Sequence, residues 1–211
     1  MRHILKSENL LQQALINILS SNKLTKEKSS DFDLLPTLNV QKIECKPAAV
    51  LIPIIFDNSG PSVVFTKRAK KLKDHPGQIS FPGGKVERSD FSEIETVIRE
   101  CREEIYLKSV DINILGRLPP HETVTGYLIS PFVASIRNYQ KLKPQLSEVE
   151  EIFKVPLSFL LNKENMRVQN RKCNDHERRY YIIPYGPYYI WGATARIIKT
   201  FSELIEKYEN A

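Results

Sequence analysis

Four charged residues near the middle of the chain, Arg99, Glu100, Glu103 and Glu104 in the run RECREE, carry the clearest chemistry readable from type and spacing. At about 100° of rotation per helical residue, the three glutamates leave within a sector of roughly 100° and share one face. Glu93 stands two turns earlier on nearly the same line. Like charges at i,i+3 and i,i+4 repel by a few tenths of a kcal/mol per pair, and by more where the dielectric falls. Arg99 can offset this repulsion, and so can a hard divalent cation: Mg²⁺ takes oxygen ligands and is commonly shared between carboxylates and substrate phosphates. The plain alternative is a solvated face with surface ion pairs, because glutamate-rich helical faces are common.

The elements that must hold these residues can also be read from the pattern. Just upstream, QISF reads as a strand, and Pro82, Gly83 and Gly84 form a tight turn with bare backbone. From Asp90 to Leu107 the pattern is helical, with Ile94, Ile98, Cys101 and Ile105 on a stripe that can face a core. AAVLIPIIF and PSVVFTKR, separated by DNSG, read as a hairpin of buried strands. VDINILGRL and SPFVASI read as further strands, VEEIFKVPLSFLL as a strand end running into a short helix, and RYYIIPYGPYYIWG as a strand with a turn. Helices are expected from about Ser7 to Ser21, stopped by the polar SSNKLTKEKSSD, and from Thr194 to Tyr208. Strands mingled with a few helices indicate a layered α/β or α+β domain.

Composition sets the bounds. With 211 residues, 41% hydrophobic and 27% charged, the chain suits one well-packed globular domain, with room for a terminal extension. Lys+Arg 31 against Asp+Glu 25 gives +6, which suits an anionic partner: a phosphorylated metabolite, a nucleic acid or a membrane surface. Cys45, Cys101 and Cys173 show no C-x-x-C pairing, so neither a disulfide framework nor a zinc site is indicated, and a reducing cytoplasm is the expected compartment. No apolar run approaches the roughly 20 residues of a membrane span. The basic N-terminus is interrupted by Glu8, Gln12, Gln13 and Asn17, unlike a signal peptide, and KYENA is no address signal.

The segment from Gly84 to Glu104 resembles the Nudix box, G-x5-E-x7-R-E-U-x-E-E-x-G-U, where U is bulky and apolar. Gly84 fits the opening glycine, Asp90 the first acidic position, and Arg99, Glu100, Cys101, Glu103 and Glu104 the core in order. Upstream, VFTKRAKKLKDHPGQISFPGG is similar to the coenzyme A pyrophosphatase signature through Thr66, Arg68, Ala69, Gly77, Phe81, Pro82, Gly83 and Gly84. TVTGYLISPFV, EVEEIFKVPLSFLL and IWGATARI also look like that subfamily, so the resemblance covers residues 45–211 and leaves 1–44 as an N-terminal helical extension. It implies a Nudix-type α/β/α sandwich with a mixed sheet between helices. It also implies Mg²⁺- or Mn²⁺-dependent hydrolysis of the diphosphate bridge of coenzyme A or its derivatives, to adenosine 3',5'-bisphosphate and 4'-phosphopantetheine species.

By the same resemblance Glu100 and Glu104 are the surest metal ligands, Glu103 is a ligand or the general base, Arg99 orients the carboxylates, and the Gly84 carbonyl completes the metal shell. Arg68, Lys73, Gly77, Phe81 and Gly83 are the expected substrate contacts, and Lys67, Lys70 and Lys71 either reach a substrate phosphate or merely solvate their loop. A small-molecule nucleotide is the expected partner, with no membrane and no nucleic acid. The N-terminal helix packs on its own domain, bridges a homodimer or binds elsewhere. Rival readings are a Nudix pyrophosphatase for ADP-ribose, a dinucleoside polyphosphate or an RNA 5' end, and a non-catalytic module that binds an anionic ligand.

Three departures from the pattern stand out. Lys73 replaces the signature's second arginine and loses the bidentate fork. One extra residue separates Asp90 from Arg99. Tyr106 occupies the last glycine position, where a left-handed residue costs roughly 1 kcal/mol, so the helix end is expected to differ. Blander readings are favoured elsewhere. His75 is taken as a loop histidine in solvent, His121 and Glu122 as a plain connection, Glu148, Glu150 and Glu151 as a solvated run rather than an alternative base, and Trp191 with Tyr180, Tyr181, Tyr185, Tyr188 and Tyr189 as core rather than a platform for adenine.

Overall fold

The computed structural model describes residues 4–20, 28–34, 44–173 and 176–210. Most of the polar stretch read as ending the first helix, and residues 35–43, lie outside the described residues. In chain order the elements are α1 (Glu8–Leu19), β1 (Ser29–Ser30), β2 (Lys46–Asp57), β3 (Gly60–Arg68), β4 (Ile79–Ser80), β5 (Gly83–Lys85), α2 (Glu93–Ile105), β6 (Ile112–Arg117), β7 (His121–Glu122) and β8 (Tyr127–Ile136). They continue as β9 (Val149–Pro156), α3 (Leu157–Leu161), β10 (Arg167–Cys173), β11 (His176–Tyr185), β12 (Tyr188–Trp191) and α4 (Ala193–Glu209).

Among the described residues, strands β1 to β9 form one mixed sheet, and β10, β11 and β12 a separate antiparallel one. The β2–β3 hairpin is as read: Ile54 faces Val63 and Asp57 faces Gly60 across the DNSG turn. On its other side β2 runs parallel to β8, from Lys46↔Tyr127 to Ile54↔Ser135, which requires a long crossover. That crossover contains α2. The period-2 alternation of β2 sorts its side chains between two cores. Ala49, Leu51 and Ile55 face Val97, Cys101 and Ile105 of α2, whereas Ile52 and Ile54 face α1, α3 and α4. The result is helix, mixed sheet, helix: the expected α/β/α sandwich.

Helix α1 belongs to that second core. Leu11 and Leu15 are fully buried, Ile18 and Leu19 nearly so. Gly116, at a register shift in β6, makes this approach feasible, because a Cβ there would stand 2.4 Å from the Leu19 Cβ. The burial stripe of α2 differs from the expected one. Val97 takes the inward place, and Ile94 is 38% exposed. The inward positions are 97, 101 and 105, spaced at i, i+4 and i+8, so position 94 has rotated toward solvent.

Candidate active site

Helix α2 is set by its caps. The Ser92 hydroxyl accepts from the Glu95 N–H at 3.3 Å, and the Glu95 carboxylate accepts from the Phe91 N–H at 2.9 Å, a reciprocal N-terminal closure. At the other end Tyr106 adopts φ 54°, ψ 28°. The helix end therefore does not differ as expected: a tyrosine occupies the left-handed position that glycine would take without strain, and its N–H caps the Cys101 carbonyl. The extra residue before Arg99 leaves Arg99 to Glu104 in one unbroken helical register.

Arg99 organises the entry loop. Its Nε and one terminal nitrogen grip both oxygens of Asp90 at 3.0 Å, while the other terminal nitrogen donates to Glu100 at 2.9 Å and to Glu103 at 3.1 Å. A further bond to the Lys85 carbonyl at 3.1 Å ties the helix to β5. Asp90 also accepts from Glu87 N–H and Thr96 Oγ1. With so many donors, chiefly Arg99, its carboxyl is held far below the usual range. Asp90 is thus a latch.

The three glutamates are not equivalent. Glu104 is buried, accepts from the Gly83 N–H at 3.2 Å, and has its carboxyl pushed up to about 8, by burial first and the neighbouring Glu100 second. Glu100 is raised too, mainly by burial and against the pull of Arg99. The Glu103 side chain is 47% exposed and turned to Arg99. Among the described residues no set of three or more His, Cys, Asp and Glu side chains converges as a ready-made cage. Glu100 and Glu104 lie at the glycine turn, and Glu103 faces Arg99. Their sector spans the boundary between core and solvent, so burial separates them. Glu93 lies apart, receiving Ser130 Oγ at 2.6 Å and Arg117 at 2.9 Å.

The glycines are needed for close approach. A Cβ on Gly84 would sit 2.3 Å from Glu100 Oε1, and one on Gly83, at φ 147°, 2.3 Å from the Ala49 carbonyl. Gly77, at φ 70°, closes the preceding loop by donating to the Arg68 carbonyl at 3.1 Å. The Arg68 guanidinium donates to the Asp74 carbonyl, and its charge favours the ionised form of Glu104. Lys73 is exposed on the turn, and Lys67 is paired with Glu150 at 2.9 Å. Phe81, expected at the substrate, is 3% exposed and stacks on Phe65 at 5.0 Å, with only an edge lining a cleft.

Residues given bland readings divide. Glu148, exposed just before β9, adds its negative charge to that felt by both Glu100 and Glu104, so it stands with them at the site. The sequence offered Glu148 as an alternative base beside the favoured solvated reading, and the pairing of β9 with β3 is what carries it toward these carboxylates. Glu151 instead accepts from Tyr188 Oη at 2.5 Å. His121 is fully buried, Nδ1 3.0 Å from Ser29 Oγ and Nε2 3.0 Å from Asp31 Oδ1, where it staples β1 to β7. It is neither a loop residue nor open to substrate.

A divalent cation fits this arrangement. Two desolvated carboxylates meet bare glycine backbone, their mutual repulsion is relieved only in part by Arg68 and Arg99, and every donor is a hard oxygen. Glu100 and Glu104 would hold the ion, which when bound would supply charge neutralisation at a phosphate.

A protein-family model described as NUDIX domain matches residues 46–176. The chain is 35% identical to "Uncharacterized Nudix hydrolase NudL" of Enterobacter sp. (strain 638) over 171 residues, 81% of this chain and 88% of that protein. It is 37% identical to the protein of the same description from Pectobacterium atrosepticum over 155 residues, 72% and 79% of the two chains. The crystal structure of a MutT protein from Methanosarcina mazei Go1 is similar at 18% identity and a TM-score of 0.46, covering 81% of this chain and 97% of that one. With the box residues on one capped helix and relatives matching along most of its length, the chain belongs to the Nudix superfamily and is a Nudix hydrolase.

Proposed function

We propose that the protein hydrolyses the diphosphate bridge of coenzyme A or an acyl derivative, with Mg²⁺ or Mn²⁺, in the cytoplasm. The observation that carries the reading is the placing of the 66–84 stretch. Arg68 stands where its charge reaches Glu104, and the Gly83–Gly84 backbone lies against the buried Glu104 and the partly buried Glu100. The box carboxylates and the residues similar to the coenzyme A signature thus meet at one spot.

In this reading Arg68 binds the bridging diphosphate, a task suited to a planar fork. Arg99 keeps Glu100 and Glu103 aligned, and the bare glycine backbone lets the phosphates lie close. Glu103, half exposed and steadied by Arg99, takes the proton from the attacking water, while Glu148 completes the acidic surround. Proton transfer to a placed side chain contributes about 10²–10⁴-fold, so Glu103→Gln should lower kcat by that order with the fold intact, whereas Glu148→Gln should act mainly on metal requirement. The reverse pattern would exchange their roles.

The deciding assay offers coenzyme A, acetyl-coenzyme A, ADP-ribose and a 5'-triphosphorylated or capped RNA side by side with either metal. Release of adenosine 3',5'-bisphosphate from the coenzyme A species alone is expected. Turnover of ADP-ribose or RNA instead would keep the Nudix chemistry and discard the coenzyme, and silence on all would point to a binding module.

A further inference from the structure

On the α4 face of the sheet a cleft of about 340 Å³ opens between the 75–81 loop, the 123–127 turn and the start of α4. It adjoins the carboxylates through one short segment: Ser80 and Phe81 line the cleft, while Gly83 and Gly84 touch Glu104 and Glu100. A substrate extending from the diphosphate over that glycine turn would enter it.

Its lining is mostly apolar, yet three polar groups in it have no partner among the described residues. The Gln78 side-chain amide makes no hydrogen bond, although its backbone closes the loop to Arg68 at 2.9 Å. The Trp191 indole N–H is likewise unpaired, its ring held at 5.5 Å and 59° to Tyr180. Arg178 is exposed and forms no ion pair. It stands directly opposite Arg171 in the β10–β11 register, on the hairpin face shared with Tyr180 and, through Ile182↔Trp191, with Trp191. Like charges directly opposed on a hairpin are unfavourable, and the carboxylate that lines the cleft, Asp31, is held instead at His121 Nε2 and by the Val124 N–H. The first turn of α4 opens into the same space with no side-chain cap, Gly192 being its N-cap, and its free N–H groups favour an anion.

A flat ring, an amide able to pair with a base edge and a spare guanidinium beside uncapped N–H groups together describe a site for a nucleotide. An alkyl-amide arm would use the apolar wall but leave the cation idle. We propose that this cleft binds the nucleoside end of the substrate, with the base against Trp191 and Gln78 and a sugar phosphate facing Arg178 and the start of α4. The identity of the occupant as a nucleotide rests on the pyrophosphatase reading above, while the cleft does not.

Trp191 is the sole tryptophan, so the full-length protein reports on its own cleft. In EDTA, adenosine 3',5'-bisphosphate and AMP should change the tryptophan emission saturably, the bisphosphate binding more tightly, and 4'-phosphopantetheine should leave it unchanged. Arg178→Ala, at an exposed position, should cost the bisphosphate about tenfold in Kd and largely remove its advantage over AMP. Gln78→Ala, read by calorimetry, should weaken both adenine nucleotides. A response to 4'-phosphopantetheine alone, or none to any nucleotide, overturns the inference. Hydrolysis is measured on the same preparations. Turnover without a nucleotide response would sink the cleft and leave the enzyme reading standing, and a nucleotide response without turnover would do the opposite.

Discussion

Glu104 shows how much one side chain's surroundings decide. Burial first and the Glu100 charge second push its carboxyl up from an ordinary 4.5 to about 8. A carboxyl raised on folding contributes stability that is fully present below about 4.5 and lost as pH rises through about 8. The metal-free protein should therefore lose stability over that window relative to Glu104→Gln, read as the difference in Tm in EDTA between pH 5 and 9. A difference independent of pH would mean that Glu104 ionises freely in the fold. Arg99 is the second test. Its bidentate bond to a nearly buried Asp90 cannot be reproduced by an ammonium, so Arg99→Lys should cost about 2–4 kcal/mol, seen in denaturant unfolding, as well as turnover. Residue types announced both roles, since the R-E-x-x-E-E spacing places the charges together on a helix. Types alone could not say that Glu104 goes under, Glu103 stays out and Asp90 closes on Arg99, because each depends on where the surface of α2 meets β5.

Among the elements, α2 and the β2–β3 hairpin were legible because their signals are local: caps, a DNSG turn and two apolar runs. The end of α2 was misjudged on a local argument as well. Tyr106 holds φ 54° because the packing of Ile105 and Leu107 on either side over-determines the turn. Tyr106→Gly should then raise stability by about 0.5–1 kcal/mol, or ~2 °C in Tm, the relief of left-handed strain outweighing the extra freedom of the unfolded chain. An unchanged or lower Tm would show that the tyrosine ring contributes more than the strain costs. Helix α1 was legible as a helix but not as core. Its docking depends on Gly116, 90 or more residues distant, and Leu15→Ala should cost about 2–5 kcal/mol if α1 is as integral as its burial indicates.

Across the whole molecule the +6 charge and the anionic substrate class predict that kcat/KM for the diphosphate substrate falls as ionic strength rises, since the Debye length shrinks from about 30 Å at 0.01 M to about 8 Å at 0.15 M. A flat salt profile would assign the basic excess to solubility. No helix among the described residues is long and apolar enough to cross a membrane. The sequence by itself determined the family, the carboxylate helix, the glycine turn and most of the strands, because each is written in contiguous residues at a fixed spacing. Tertiary structure alone decided which carboxylates are desolvated, that Glu148 joins them, that His121 is a buried staple, and that Trp191, Gln78 and Arg178 line one cleft beside the site. Those facts arise where strands far apart in the chain pair, and neither periodicity nor composition encodes which strand will lie beside which.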